Sequence, residues 1–225
     1  MRLYETDQGN GDVVSRITLA TNSQNPVVLR DLRANDVRQK KLAASIAHLG
    51  YEYRAKKRVG GRSPEVLTSP VVAEAVLAVW RRRPHQARFH RTQHFGRLYS
   101  IIFSEDLNGA QAILAVLAFR AAENRRKHPP AGGPDFLPYG SRFSAMLLGQ
   151  YLREETGLGL EALDHRTFGD AKATLQAHAL EWLERSESEI GTVLNRYFSG
   201  RKRTLQRLSA VFRRADLVEE LAPGS

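Results

Sequence analysis

Clustered arginines and lysines are the side chains of this sequence with the most evident chemistry. Residues 51–100 carry 11 basic and 3 acidic groups, a net charge of +8, whereas the whole chain of 225 residues carries +10. Guanidinium and ammonium groups neutralise phosphates, and neighbouring aromatic rings stack on exposed bases. The sequence therefore predicts a nucleic-acid-binding surface here. Its ten residues are Arg54, Lys56, Lys57, Arg58, Arg62, Arg81, Arg82, Arg83, Arg88 and Arg91.

Two other interpretations of these basic residues stay open. Arginine accounts for 27 of the 34 basic residues. Arginine suits phosphate better than lysine does, but GC-rich codon usage produces the same bias. A positively charged face also suits an acidic partner protein. The alternative function is therefore a non-catalytic interaction module.

Arg88 and His94 are the candidate catalytic residues. A histidine can act as general acid or base on a ribose 2′-hydroxyl while an arginine holds the phosphate. Their spacing is similar to the Arg-and-His spacing of helical ribonucleases of the HEPN group, and this resemblance implies the same two roles for Arg88 and His94. Chance also gives such spacings in a chain with 27 arginines and seven histidines. Whether the chain is an enzyme is left open.

No metal site and no cofactor are predicted. His90 and His94 lie four residues apart, so one helix face could present both rings, but no carboxylate close to them in sequence completes a ligand set. The absence of cysteine excludes a disulfide framework, cysteine-ligated metals and a thiol nucleophile. Neither a phosphate-binding P-loop nor a dinucleotide-binding glycine motif is found.

The elements that must position these side chains are mainly α-helical. The pattern predicts a short α+β segment over residues 1–62 and a helical domain over 63–225. Alternating residues in 51–56 indicate a strand, and the stripe from Phe95 to Phe103 indicates a helix.

Individual residues predict where several helices begin and end. Asp36 and Asn108 are expected N-caps, Gly50 an expected C-terminal turn, and Thr167 with Asp170 an expected capping box. Residues 128–138, with four prolines and two glycines, are expected to form a loop. Thr204 is expected to open a single last helix.

No membrane segment is predicted. The most apolar run, residues 110–119, is about half of the ~20 residues that span a bilayer, so it is expected to be a core helix. The first residues lack the apolar stretch of a signal peptide. The composition is consistent with the cytoplasm.

Three segments carry a resemblance to a known family. They are ATNSQNPVVLRDLRANDVRQKKL (20–42), GYEYRAKKR (50–58) and WRRRPHQARFHRTQHFGRLYSIIF (80–103). These segments resemble the AIPR family, named for abortive infection and phage resistance, and the resemblance covers about residues 1–155. It implies an anti-phage defence protein with partners from a defence gene cluster. It also implies that the chain corresponds to the C-terminal portion of longer relatives, with Asn22, Gln24 and Asn25 at the edge of a polar site.

Overall fold

The computed structural model describes residues 26–56 and 63–222. Within them lie ten α-helices, two 3-10 turns and one two-stranded sheet, which confirms a mainly α fold with a short α+β segment near the N-terminus. The helices are α1 (Pro26–Arg33), α2 (Val37–His48), α3 (Ser69–Val79), α4 (Pro84–Phe89), α5 (Tyr99–Ile102), α6 (Gly109–Lys127), α7 (Leu137–Thr156), α8 (Phe168–Tyr197), α9 (Leu205–Val211) and α10 (Asp216–Leu221). The strands are β1 (Glu52–Arg54) and β2 (Val66–Thr68), and the 3-10 turns are Arg91–Gln93 and Leu160–Ala162.

The two strands pair in parallel, with Glu52 opposite Val66 and Arg54 opposite Thr68. The strand predicted over 51–56 is confirmed as β1. β2 follows residue 62, so the sheet joins residues from both sides of the predicted boundary. The division into 1–62 and 63–225 stays a prediction.

Three helices, α3, α6 and α7, form the centre of the core. Nine of the eleven residues of α3 are buried. At Gly149 of α7 a side chain would overlap Val79, so this glycine allows α3 and α7 to approach closely. The apolar run 110–119 lies in α6 and is buried as expected, with only Leu117 half-exposed. No helix of the described residues has the length and hydrophobicity to cross a bilayer.

Local sequence signals position several helix ends as predicted. The Asp36 carboxylate accepts a hydrogen bond from the Arg38 backbone N–H at 2.9 Å. Asn108 accepts one from the Gln111 N–H at 3.0 Å, and the Gln111 side chain accepts the Asn108 N–H in return. Gly50 adopts a φ of +80°, the left-handed conformation that ends many helices.

Three helix predictions are wrong in detail. The stripe from Phe95 to Phe103 is helical only in α5, because the Gly96 and Leu98 N–H groups both donate to the Gln93 carbonyl in a tight turn. Thr167 is the N-cap residue of α8 as predicted, but its hydroxyl donates to the Ala162 carbonyl and makes no capping hydrogen bond, so the capping box is absent. The last predicted helix is two helices, α9 and α10, separated by residues 212–215.

Candidate anion-binding site

A small pocket of about 270 Å³ lies where α4, the Arg91–Gln93 turn, α6 and α7 meet. We call it the arginine pocket, because it is lined by Arg88, Phe89, Arg91, Arg126 and Arg142. Guanidinium groups carry five N–H donors and no acceptor, and they do not lose their charge near neutral pH. The lining therefore suits a negatively charged ligand with several acceptor oxygens.

Arg142 is the buried centre of this site. Its side chain is only 5 % exposed and lies between two glutamates. Its Nη2 donates to Oε1 of Glu74 at 2.5 Å, and its Nη1 donates to Oε1 of Glu123 at 2.5 Å. The ring of Phe119 lies 5.2 Å below the guanidinium carbon. A buried charge is stable only when groups of opposite charge pair with it through hydrogen bonds. The two glutamates supply these bonds and fix Arg142 in place.

The two glutamates also hold the outer arginines of the arginine pocket. Glu74 accepts a hydrogen bond from Arg91 Nη2 at 2.8 Å, and Glu123 accepts two from Arg126 at 3.1 and 3.0 Å. Burial by itself raises the pKa of Glu123, but hydrogen bonds from Arg126 and Ser141 and the charge of Arg142 bring it below its usual value. Glu123 therefore stays ionised.

The positive charges of the pocket exceed the negative ones. Four arginines line the pocket and three of them pair with two carboxylates, which leaves two positive charges in excess. Arg88 forms no ion pair with any carboxylate of the described residues; its guanidinium lies 5.4 Å from the Tyr139 ring centre. Burial and the nearby charges of Arg142 and Arg126 lower the pKa of Arg88. This excess of positive charge favours the binding of an anion.

One aromatic ring, that of Phe89, lines the arginine pocket. Phe89 has the guanidinium of Arg88 5.6 Å from its ring centre and that of Arg213 at 4.8 Å. Arg213 follows α9, so the C-terminal part of the chain extends the basic surface. Cations beside exposed ring faces are typical of proteins that bind single-stranded nucleic acids.

His94 lies beside this site but is buried, with 3 % of its surface exposed. Its Nε2 has no hydrogen-bond partner among the described residues. Burial lowers the pKa of His94, and the charge of Glu74 opposes that shift only in part. The ring is therefore neutral at pH 7 and enclosed in the core. The pair of Arg88 and His94 stays a prediction for catalysis, and of the two only Arg88 lines the arginine pocket.

The Arg81–Arg83 run contacts other parts of the chain. The Arg81 guanidinium donates to the Ser104 hydroxyl and lies 3.9 Å from Asp106. Arg82 donates to the Ala222 carbonyl. Arg83 is half-buried in the turn between α3 and α4.

The remaining predicted binding residues are divided between the strand and undescribed parts of the chain. Arg54 binds Glu52 through two hydrogen bonds, at 2.6 and 3.0 Å. Lys56 is exposed after β1. The others lie outside the described residues, and they are Lys57, Arg58, Arg62, Asn22, Gln24 and Asn25. The structure thus brings together Arg88 and Arg91 from the predicted set.

Sequence reasoning missed Glu74, Glu123 and Arg142. Glu74 is the single charged residue of α3, and Arg142 is the single charged residue in residues 137–152. An isolated charge within an otherwise apolar helix requires a buried partner of opposite sign. This signal could have indicated the Glu74–Arg142 pair, although 68 residues separate the two.

The comparison with protein families agrees with the resemblance noted in the sequence. The family described as AIPR protein matches residues 1–192. The chain belongs to the AIPR family. Searches of the curated proteins and of the solved structures gave no match. The matched range includes every residue of the arginine pocket, and membership supports a role in abortive infection and phage resistance.

Proposed function

We propose that this AIPR protein contributes to phage defence by binding nucleic acid, with a backbone phosphate held in the arginine pocket. The observation that carries the proposal is the charge excess of four arginines over two glutamates in one pocket. Phosphate oxygens accept the paired N–H donors of guanidinium groups with good geometry. Arg88, which binds no carboxylate of the described residues, is the group available to a ligand without breaking an existing ion pair.

The surroundings of the pocket favour a nucleic acid over a free inorganic anion. Phe89 and Tyr139 provide aromatic surface beside Arg88, and Arg213 places a further cation beside the Phe89 ring. If a backbone phosphate binds in the arginine pocket, the bases of the adjoining nucleotides lie next to these rings. Stacking of a base on such a ring contributes about 1–3 kcal/mol and is tolerant of sequence.

Equilibrium binding of labelled single-stranded DNA and RNA oligonucleotides tests this proposal. We expect Arg88→Gln to weaken binding about tenfold, because it removes a charge-assisted contact. The affinity of the wild-type protein should fall as salt is added, and the slope of log K against log salt should decrease by about 1 in the variant. The matched control is Arg166→Gln, which removes one charge from a side chain that is 77 % exposed and pairs with Asp164.

Equal affinities of the Arg88→Gln and Arg166→Gln proteins would reject the arginine pocket as the binding site. An affinity that does not change with salt would reject phosphate contacts altogether. An acidic partner protein is the other ligand for this surface. Co-purification of such a protein that survives nuclease treatment, together with unchanged nucleic-acid binding by Arg88→Gln, would favour it.

We also propose that the protein acts in the cytoplasm. The absence of cysteine and a ligand that is found inside the cell are consistent with this location. Fractionation of the source cells with an antibody against the chain tests it, and recovery in the membrane fraction after a high-salt wash would contradict it.

A further inference from the structure

A second pocket lies toward the C-terminal ends of α3 and α7. We infer that it binds a small amphipathic anion, with a planar apolar body and one carboxylate or phosphate group. It is formed by the end of α3, the second half of α7 and the loop 157–160, and we call it the Trp80 pocket. Its volume is about 420 Å³, within the range of about 300–1,000 Å³ that is typical of small-molecule sites. This inference is independent of the arginine pocket, since the two pockets share no lining residue.

One side of the Trp80 pocket is apolar and rigidly held. The Trp80 indole N–H donates to the Gln111 carbonyl at 2.7 Å, which fixes the orientation of the ring. Gly149 lies against the far edge of that ring, where a Cβ would come within 3.2 Å of it. Met146 and Leu158 add apolar surface. A planar hydrocarbon group would bury itself against these side chains.

The other side of the Trp80 pocket carries positive charge. Arg82 and Arg153 line it together with Glu154. The Glu154 carboxylate is already engaged, because it accepts a hydrogen bond from Gln150 at 2.8 Å and lies 3.8 Å from Arg185 of α8. Arg153 forms no ion pair within residues 26–56 and 63–222. An anionic group on the ligand would supply the partner that Arg153 lacks.

Backbone strain at Arg82 supports a role for its side chain. Arg82 has a φ of +51°, and it is the one non-glycine residue with a positive φ among the described residues. Glycine adopts this conformation without the steric cost that a side chain adds. Strained backbone of this kind is characteristic of ligand-binding sites. The hydrogen bond from Arg82 to the Ala222 carbonyl fixes the guanidinium at the pocket edge.

Titration of the whole chain with 1-naphthyl phosphate, followed by NMR of the indole N–H groups, tests this inference. The protein contains two tryptophans, and Trp182 is a buried internal reference that stacks on His178. We expect the Trp80 signal to shift and the Trp182 signal to keep its position. The affinity should exceed that of either half of the probe, 1-naphthol or inorganic phosphate, by about tenfold or more.

Two variants separate a binding role from a structural one. Arg153→Gln should weaken binding of 1-naphthyl phosphate about tenfold and leave binding of 1-naphthol unchanged. Arg82→Gly should weaken binding of the same probe while the melting temperature stays close to that of the wild-type protein, because the relief of backbone strain offsets the lost hydrogen bond to the Ala222 carbonyl. The matched control is Arg97→Gln, an exposed arginine bonded to Gln93.

Four outcomes would overturn the inference. Three of them are an unshifted Trp80 signal at millimolar probe, an equal affinity for 1-naphthol and 1-naphthyl phosphate, and an Arg153→Gln protein that binds like Arg97→Gln. The fourth is loss of probe binding in Arg88→Gln, which would place the probe in the arginine pocket. Nucleic-acid binding plays no part in these measurements, so the proposed function stands or fails separately.

Discussion

Arginine side chains have different partners in two regions of the molecule, the Arg81–Arg83 run and the arginine pocket. In the run, Arg81 and Arg82 bind Ser104 and the Ala222 carbonyl respectively. In the pocket, four arginines from separate elements meet, and three of them bind two glutamates. A dense basic sequence therefore does not by itself report which of its charges have partners within the protein. The number of carboxylates in the same place decides whether positive charge is left for a ligand.

Removal of Arg142 should have the largest effect on stability. Arg142→Met takes the buried partner from Glu74 and Glu123, each of which keeps only one outer arginine. We expect the free energy of unfolding to fall by about 2–4 kcal/mol, measured by urea denaturation. Arg81→Met, which removes a half-buried arginine of the run, should cost about 1 kcal/mol. An equal fall in the free energy of unfolding in the two variants would contradict the distinction between the arginine pocket and the Arg81–Arg83 run.

Arg125 and Arg126 are adjacent in sequence, and they compare an arginine outside the arginine pocket with one that lines it. Arg126 lines the arginine pocket, whereas Arg125 binds Glu187 of α8 through hydrogen bonds of 2.7 and 2.9 Å. Arg126→Gln should weaken oligonucleotide binding by roughly three- to tenfold. Arg125→Gln should leave the affinity within about twofold and lower the free energy of unfolding by about 1–2 kcal/mol, because Glu187 is nearly buried. The opposite pattern would contradict the assignment of the pocket.

The pH dependence of stability should be a smaller effect. Burial lowers the pKa of His94 in the folded protein from its usual 6.5, against the opposing charge of Glu74. The unfolded chain therefore binds the proton more tightly, so the stability from neutral His94 is present above about pH 6.5 and is lost as the pH falls toward the folded pKa. Nearby Arg91 and His90 act in the same direction as burial.

His94→Gln tests this dependence. Urea unfolding between about pH 7.5 and pH 5 should show a shallower loss of stability than in the wild-type protein, while His85, whose pKa burial also lowers, keeps part of the slope. Since arginines do not titrate in this range, the pocket keeps its charge. An identical slope in both proteins would show that His94 is not protonated on unfolding.

Local sequence signals predicted much of the fold. Asp36 and Asn108 cap their helices, because a side-chain oxygen of the right length reaches the first N–H groups whatever the rest of the chain does. The stripe from Phe95 to Phe103 predicted the buried side chains but not the tight turns at Gly96. Periodicity reports which residues face the core, and tertiary contacts decide whether the backbone between them is helical.

The sequence predicts fewer residues of the arginine pocket than elements of the fold. Arg88 and Arg91 lie in a basic segment and were predicted, but Arg142 comes from α7 and pairs with a glutamate 68 residues away. No spacing rule joins residues so distant, since their contact depends on how α3, α6 and α7 pack. The contacts of Arg81 with Ser104 and of Arg82 with the Ala222 carbonyl likewise depend on packing, and the role of these arginines in nucleic-acid binding stays a prediction.

The most direct test is the free energy of unfolding of Arg88→Gln with and without a saturating oligonucleotide. At a fixed excess of ligand, a bound ligand stabilises the folded state by an amount that rises with the logarithm of its affinity. The same unfolding experiment therefore reports both the stability of the variant and its affinity for the oligonucleotide. Without oligonucleotide, we predict a stability equal to or above that of the wild-type protein, because Arg88 lies among like charges. With oligonucleotide, we predict a gain about 1.4 kcal/mol smaller than in the wild-type protein. A variant that is destabilised alone and gains as much as the wild-type protein would contradict the account.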